Sequence, residues 1–103
     1  MARIPPEKLG DQQIVAALEQ LPGWALAEGK LHREYRFKDF VTAFGWMTGC
    51  ALIAERLNHH PEWFNVWSRV VVDLSTHEAR GLTALDVDLA QQMEKLAQTL
   101  GVK

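Results

Sequence analysis

The chain contains 103 residues, of which 48% are hydrophobic and 23% are charged. This length predicts one domain over residues 1–103, and the apolar content argues against disorder because it suffices for a modest core. The formal net charge of −2 argues against a protein that binds nucleic acid or an anionic membrane surface, since both partners require a basic footprint.

Two further features of the sequence bear on location. The single cysteine, Cys50, cannot form an intrachain disulfide, which is compatible with a reducing compartment. Residues 1–10 form a lead-in that lacks the apolar segment of a signal peptide, and no apolar run reaches the roughly 18 residues that a membrane span requires. We therefore expect a cytoplasmic protein.

Apolar residues recur at helical spacing in three segments and alternate with polar residues in four shorter ones. The predicted elements, in chain order, are a helix from Gln12 to about Leu21, strands at 24–27 and 31–37, a helix from 39 to about 58, strands at 63–67 and 70–76, and a last helix that ends at Gly101. This α-β-β-α-β-β-α order predicts an α+β fold, in which a four-stranded antiparallel sheet has helices packed on one face.

Capping and turn residues mark several of these boundaries. Asp11 is expected to cap the first helix, and Gly29 suits a hairpin turn between the first two strands. Ser68-Arg69 is expected to connect the third and fourth strands. Thr83 and Asp86 have the spacing of a capping box at the start of the last helix.

The central helix is predicted to bury one apolar stripe, formed by Phe40, Phe44, Met47, Ala51 and Ala54. Gly45 and Gly49 each cost about 1 kcal/mol in helix propensity, so we expect them to allow a close approach by a neighbouring element. The helix should end near Asn58, because Pro61 disfavours the helical conformation at His60.

Three of the four histidines fall where predicted elements end. His59 and His60 close the central helix, and His77 follows the second strand of the second hairpin. Because a hairpin returns the chain to the end of the sheet from which it started, the three imidazoles can share one pocket. Glu55 lies one helical turn before His59 and is close enough to orient its ring.

Imidazole gives or takes a proton near neutral pH, so such a pocket suits proton transfer on a flat heteroaromatic substrate. The same residues allow two other interpretations. His59 and His60 could complement the dipole at a helix C-terminus, and three histidines could bind zinc. The zinc interpretation is weaker, because adjacent histidines point in different directions and no His-Glu-x-x-His pattern occurs.

A longer spaced pattern resembles the pterin-4a-carbinolamine dehydratase family. The resemblance is carried by the run from His59 to Trp67 (HHPEWFNVW), by Leu74-Ser75-Thr76-His77, and by Gly81-Leu82-Thr83 with Asp86. Glu55 stands in the acidic position that precedes His-His-Pro in the family. The pattern covers about a third of the chain.

The resemblance implies an enzyme that dehydrates 4a-hydroxytetrahydropterin to quinonoid dihydropterin without a metal or an organic cofactor. It also implies a homodimer or homotetramer, and a functional link to an aromatic amino-acid hydroxylase, which leaves the carbinolamine after using its pterin. Trp67-Ser68 replaces the Tyr-Asn that is common in the family, and this departure bears on packing between subunits more than on catalysis.

The resemblance further implies roles for seven residues. The catalytic residues are His59, His60 and His77, of which His59 and His77 form the acid and base pair and His60 orients the pterin. The substrate-binding residues are Glu55, Trp24, Trp63 and Asp86, and the two tryptophans are expected to form an apolar wall. A structural role at the start of the last helix is also open to the aspartate.

Two alternatives stay open. Animal members of the family also act as dimerisation cofactors of a homeodomain transcription factor, so this fold could serve as a regulatory binding module that does not itself touch DNA. The three histidines could also act on another pterin, as in molybdenum-cofactor metabolism. Replacing His59 and His77 by alanine separates an enzyme from a scaffold, because only the enzyme needs the imidazoles.

Overall fold

The computed structural model describes residues 6–103, which form three α-helices, four β-strands and one short 3₁₀ helix. Their bounds are α1 Asp11–Glu19, β1 Ala25–Ala27, β2 Lys30–Arg36, α2 Phe40–Leu57, β3 Glu62–Val66, β4 Arg69–Leu74, the 3₁₀ helix His77–Ala79, and α3 Ala84–Thr99. The predicted order of helices and strands is confirmed, whereas the 3₁₀ helix was not predicted. Residues 1–5 of the predicted lead-in lie outside the described residues.

The four strands form one antiparallel sheet in the order β1-β2-β4-β3. One face is apolar and buried, and it bears Leu31, Tyr35, Val70, Val72 and Leu74. The opposite face carries charged side chains, with Lys30 bonded to Glu62 at 2.8 Å across the strands. The helices pack on the apolar face, so the predicted α+β architecture is confirmed. No helix within residues 6–103 is long and apolar enough to span a bilayer.

Both hairpins use two-residue turns. Glu28 and Gly29 have φ values of 52° and 78°, as expected for the mirror-image turn that matches the twist of the strands. In the second hairpin Val66 pairs with Arg69, so the turn is Trp67-Ser68 and the predicted connection at 68–69 is wrong by one residue. The Asn65 amide stabilises this turn by donating to the carbonyls of Trp67 and Arg69, at 3.1 and 2.9 Å.

The predicted buried stripe of α2 is confirmed only at Ala54. Phe40 and Phe44 are 45% and 53% exposed, and the other residues that the helix buries are Ala43, Trp46 and Cys50. The Trp46 indole fixes the rotation of the helix: it packs 4.5 Å from the Tyr35 ring, and its N–H donates to the carbonyl of Met93 at 3.0 Å. The helix carries no charged residue from Phe40 to Ala54, so the sequence offered no polar face from which to predict that rotation.

The two glycines of α2 differ in their surroundings. A β-carbon at Gly49 would lie 2.5 Å from Cδ2 of Leu96, so this glycine lets α3 approach closely, as predicted. A β-carbon at Gly45 would meet no atom within 4 Å among residues 6–103. Gly45 therefore lies on the open side of α2 together with Phe44.

One of the two predicted helix caps is confirmed, since Thr83 with Asp86 forms the capping box of α3. Asp39, which was predicted only as the start of α2, also caps its helix, because its side chain accepts from the amide of Thr42 at 2.8 Å. The prediction for α1 is wrong by one residue, because Gly10 is the cap and Asp11 is the first helical residue. The Gln13 side chain satisfies the Gly10 amide at 2.8 Å.

Replacing Trp46 by phenylalanine is expected to lower the free energy of unfolding by about 2–4 kcal/mol, because it leaves a cavity and deprives the Met93 carbonyl of its donor. The same replacement at Trp67, which is 69% exposed, is the matched control and should change stability by less than about 0.5 kcal/mol. Urea unfolding monitored by circular dichroism measures both values. Equal losses in the two variants would contradict the role assigned to Trp46.

Candidate functional site

A pocket of about 340 Å³ lies where the end of α2, the end of β4 and the 3₁₀ helix meet. Its lining residues are Asn58, His59, His60, Ser75, Thr76, His77 and Glu78. The structure thus brings together the three histidines that were expected to share a pocket. The volume falls at the lower end of the range for cavities that hold small ligands.

Asn58 makes the turn that places two of these histidines. It ends α2 in the left-handed conformation, with φ 50° and ψ 44°, which asparagine tolerates better than most residues that have a β-carbon. The amide of His59 then donates to the carbonyl of Ala54 at 3.0 Å. As a result His59 is only 5% exposed, whereas the side chain of His60 is 59% exposed.

His59 contacts a fully buried carboxylate. Its Nε2 atom lies 2.6 Å from Oδ1 of Asp86, which is 0% exposed. Oδ2 of Asp86 accepts from the hydroxyl of Thr76 at 2.8 Å and from the backbone amide of Thr83 at 2.9 Å. Because Asp86 accepts every hydrogen bond of this network, Nε2 of His59 is a donor. In the neutral ring Nδ1 then carries no proton, so it is the nitrogen that can take one.

Glu55 contacts His60, not His59. Its Oε1 atom lies 2.8 Å from Nε2 of His60, and the Glu55 side chain is 80% exposed. The prediction that Glu55 orients His59 is wrong, because the left-handed turn at Asn58 carries His59 inward to Asp86. Water screens an exposed pair of this kind, so Glu55 orients His60 only weakly.

His77 is the first residue of the 3₁₀ helix and is exposed. Its ring makes no hydrogen bond within residues 6–103, so both ring nitrogens are open to a ligand. A bridge between Thr76 and Gly81 closes the segment, with the Thr76 amide donating to the Gly81 carbonyl at 2.9 Å. His77 and His59 therefore stand in contrasting environments at one pocket.

The two tryptophans expected to form an apolar wall lie outside the lining of this pocket. Trp24 is 6% exposed and its indole nitrogen bonds the hydroxyl of Tyr35 at 3.1 Å, so it is part of the core. Trp63 lines a neighbouring cavity of about 410 Å³, which it shares with Glu55 and His60. Of the two tryptophans, Trp63 is the one that lies beside a histidine of the pocket.

Asp86 also differs from its expected place. It was predicted to bind substrate, but it lies beneath His59 and is not among the residues that line the pocket. Sequence reasoning missed its partnership with Thr76, whose hydroxyl is also 2.8 Å from that of Thr83. The spacing of Thr83 and Asp86 predicts the capping-box part of this network. The hydrogen bonds that join the end of β4 to the end of α2 through Asp86 arise only from tertiary contact.

The arrangement suits acid and base chemistry near neutral pH, since imidazoles in distinct environments meet at one end of an antiparallel sheet. Within residues 6–103, no group of three or more His, Cys, Asp or Glu side chains is placed to hold a metal ion. The fold and the pocket therefore define a class of small α+β proteins equipped for proton transfer.

A family model described as pterin 4 alpha carbinolamine dehydratase matches residues 7–96. A relative from Solibacter usitatus, whose name assigns it provisionally to the pterin-4-alpha-carbinolamine dehydratases, is 53% identical over 90 residues, or 87% of this chain and 95% of the relative. A relative from Sinorhizobium medicae with the same name is 53% identical over 95 residues, or 90% of each chain.

Among solved structures, the crystal structure of a transcriptional coactivator/pterin dehydratase from Brucella melitensis matches with a TM-score of 0.85 and 45% identity, covering 88% of this chain and 99% of that one. The chain belongs to the pterin-4a-carbinolamine dehydratase family, a family of hydro-lyases. The family predicted from the spaced histidine pattern is thereby confirmed.

Replacing Asp86 by alanine is expected to lower the free energy of unfolding by about 3 kcal/mol, because the buried groups that donate hydrogen bonds to its carboxylate would lose their acceptor. It should also change the tautomer of His59, which long-range ¹H–¹⁵N NMR of the imidazole reports. Asp88→Ala on the same helix is the matched control, since Asp88 is only partly buried and bonds Gln92. An unchanged His59 tautomer in Asp86→Ala would contradict the positioning role of Asp86.

Proposed function

We propose that this chain dehydrates a 4a-hydroxytetrahydropterin to quinonoid dihydropterin and water by histidine acid and base catalysis. The observation that carries the proposal is the convergence of His59, His60 and His77 on one pocket, with His59 bonded to a buried carboxylate. Membership of the pterin-4a-carbinolamine dehydratase family supports the choice of substrate and reaction.

The reaction requires two proton transfers. An acid protonates the 4a-hydroxyl so that the C4a–O bond breaks and water leaves, and a base takes the proton of ring N5 as the C4a=N5 double bond forms. We assign this pair to His59 and His77. The bond from Nε2 of His59 to Asp86 favours His59 as the base through Nδ1, and His77, open at both nitrogens, is then the acid.

His60 is proposed to bind and orient the pterin, and Trp63 to contribute an apolar surface next to it. Both line the neighbouring cavity, in which Glu55 also contacts His60. This division leaves Asp86 as a positioning residue and Trp24 as a core residue. Proton-transfer groups of this kind contribute roughly 10²–10⁴-fold to a rate, which is a moderate requirement for a dehydration that also proceeds spontaneously.

The test is a rate measurement with 4a-hydroxytetrahydropterin generated in situ by an aromatic amino-acid hydroxylase. We expect the wild-type protein to accelerate the ultraviolet decay of the carbinolamine, and His59→Ala and His77→Ala to lose about 10²-fold or more of that acceleration. His32→Ala is the matched control, because His32 bonds Asp73 on the open face of the sheet. Absence of acceleration by the wild type would overturn the assignment.

The cellular setting is part of the proposal. The product, a quinonoid dihydropterin, can be reduced back to the hydroxylase cofactor, so we place the chain in pterin recycling for aromatic amino-acid hydroxylation. A cytoplasmic location is supported by Cys50, which is a free thiol; burial raises its pKa to about 12. If the wild type is inactive on this carbinolamine, the same pocket should be assayed on other reduced pterins, including those of molybdenum-cofactor metabolism.

A regulatory role is the second candidate function. The solved relative from Brucella melitensis is described as a transcriptional coactivator as well as a pterin dehydratase. Such a role would use a docking surface and not the imidazoles, and the net charge of −2 favours a protein partner over DNA. A partner whose binding survives in the doubly substituted protein with His59→Ala and His77→Ala would support it.

We also propose that the chain forms a homo-oligomer through the open face of α2. Val41, Phe44 and Leu52 on this helix are 78%, 53% and 70% exposed. The helix has no charge from Phe40 to Ala54, so two copies can meet without repulsion between like charges. Gly45, which has no neighbour near its β-carbon position among the described residues, allows a second backbone to approach.

Replacing Leu52 by glutamate should therefore dissociate the oligomer, because a carboxylate would be buried in an apolar contact. Light scattering after size exclusion measures the mass, and the variant should approach the 11.7 kDa of one chain. Leu26→Glu on β1 is the control, since Leu26 is 50% exposed and lies off α2. A wild-type protein that is already monomeric, or an unchanged mass in Leu52→Glu, would contradict this interface.

A further inference from the structure

A second cavity shares a wall with the histidine pocket. It measures about 360 Å³ and lies between the β1–β2 turn and the segment that follows β4. Ser75, Thr76 and His77 line both cavities. A flat ring held beside His77 in the first cavity could therefore extend a substituent into the second.

The two cations that line the second cavity are not equivalent. Lys30 donates to Glu62 at 2.8 Å, and this hydrogen bond raises its pKa, an effect to which the charges of Asp73 and Glu28 add. Lys30 is therefore already paired with the carboxylate of Glu62, and a second carboxylate, Glu28, lines the same cavity. Arg80 forms no ion pair among residues 6–103, so its guanidinium is the cation of the cavity that is not ion-paired.

The backbone at Arg80 is also unusual. It has φ 56° and ψ 42°, a left-handed conformation that disfavours side chains with a β-carbon. Asparagine tolerates this region through local hydrogen bonds, which arginine does not make as readily. Residues held in such conformations concentrate at functional sites, and the position of Arg80 on a cavity wall fits that pattern.

Three side chains of this wall that have no hydrogen-bond partner can donate hydrogen bonds, whereas the carboxylate of Glu28, which lines the same cavity, can only accept them. The Ser75 hydroxyl and the His77 ring have no hydrogen-bond partner within the described part of the chain, and neither does the Arg80 guanidinium. Their donors, together with one cation that is not ion-paired, match an acceptor-rich anion. A guanidinium binds a phosphate or carboxylate through two parallel N–H groups, which gives it selectivity for such a group.

We propose that the second cavity binds the side chain of the pterin and that Arg80 selects a pterin whose side chain bears an anionic group such as a phosphate ester. The inference rests on the proposed function, because it requires the pterin ring to occupy the histidine pocket. It assigns a substrate class and a specificity-determining residue, and it leaves the acid and base residues unchanged.

The test compares two stable ligands, neopterin and its 3′-phosphate ester, by isothermal titration calorimetry on the full chain. We expect the phosphate ester to bind the wild type about tenfold more tightly, the size expected from charge-assisted hydrogen bonds. Arg80→Gly suits the left-handed backbone and so should fold, and it should bind both ligands equally. Arg36→Ala removes the same charge at the far end of β2, where Arg36 bonds Glu34 at 2.8 Å, and should keep the preference.

The results separate the inference from the function on which it rests. Equal binding of both ligands by the wild type, or a preference that persists in Arg80→Gly, overturns the role of Arg80 and leaves the dehydratase proposal intact. Loss of the preference in Arg36→Ala would show a general charge effect and also overturn it. If neither ligand binds the wild type and the carbinolamine decay is not accelerated, the proposed function and this inference fail together.

Discussion

The carboxylate of Asp86 is the point on which the rest of the site depends. Its two oxygens accept from His59 after α2, from Thr76 after β4, and from the amide of Thr83 at the start of α3. A buried carboxylate without these donors would be strongly unfavourable, so the three segments are held to one another by the need to satisfy it. The hydrogen bonds that position His59 in the pocket and those that cap the start of α3 therefore belong to one network, centred on Asp86.

The left-handed turn at Asn58 converts two adjacent histidines into groups with different environments. His59 is directed inward to Asp86, and His60 remains at the surface with Glu55. If the helix had continued, the directions of these two side chains would have differed only by the rotation between consecutive helical residues. This difference lets neighbouring imidazoles take the separate roles proposed for them, one in proton transfer and one in holding the ring.

Helix α2 packs against the sheet with one side and is exposed on the other. Trp46 anchors it to Tyr35 and to the carbonyl of Met93, and Gly49 admits Leu96 of α3. The opposite side presents Phe44 and other large apolar groups to the surface. Monomeric proteins seldom expose such a patch without a partner, which is why this face supports the proposed assembly.

The sequence by itself determined the order of elements, the α+β class and the family, because alternation, helical spacing and the His-His-Pro pattern are local properties of the chain. It also predicted the capping box at the start of α3 and the meeting of the three histidines at one end of the sheet. It could not determine the rotation of α2, since the uncharged stretch from Phe40 to Ala54 has apolar residues on every side and the fit of the Trp46 indole decides which of them is buried. Nor could it pair His59 with Asp86, because 27 residues separate them and only the packing of α3 against the sheet brings the carboxylate beneath the ring.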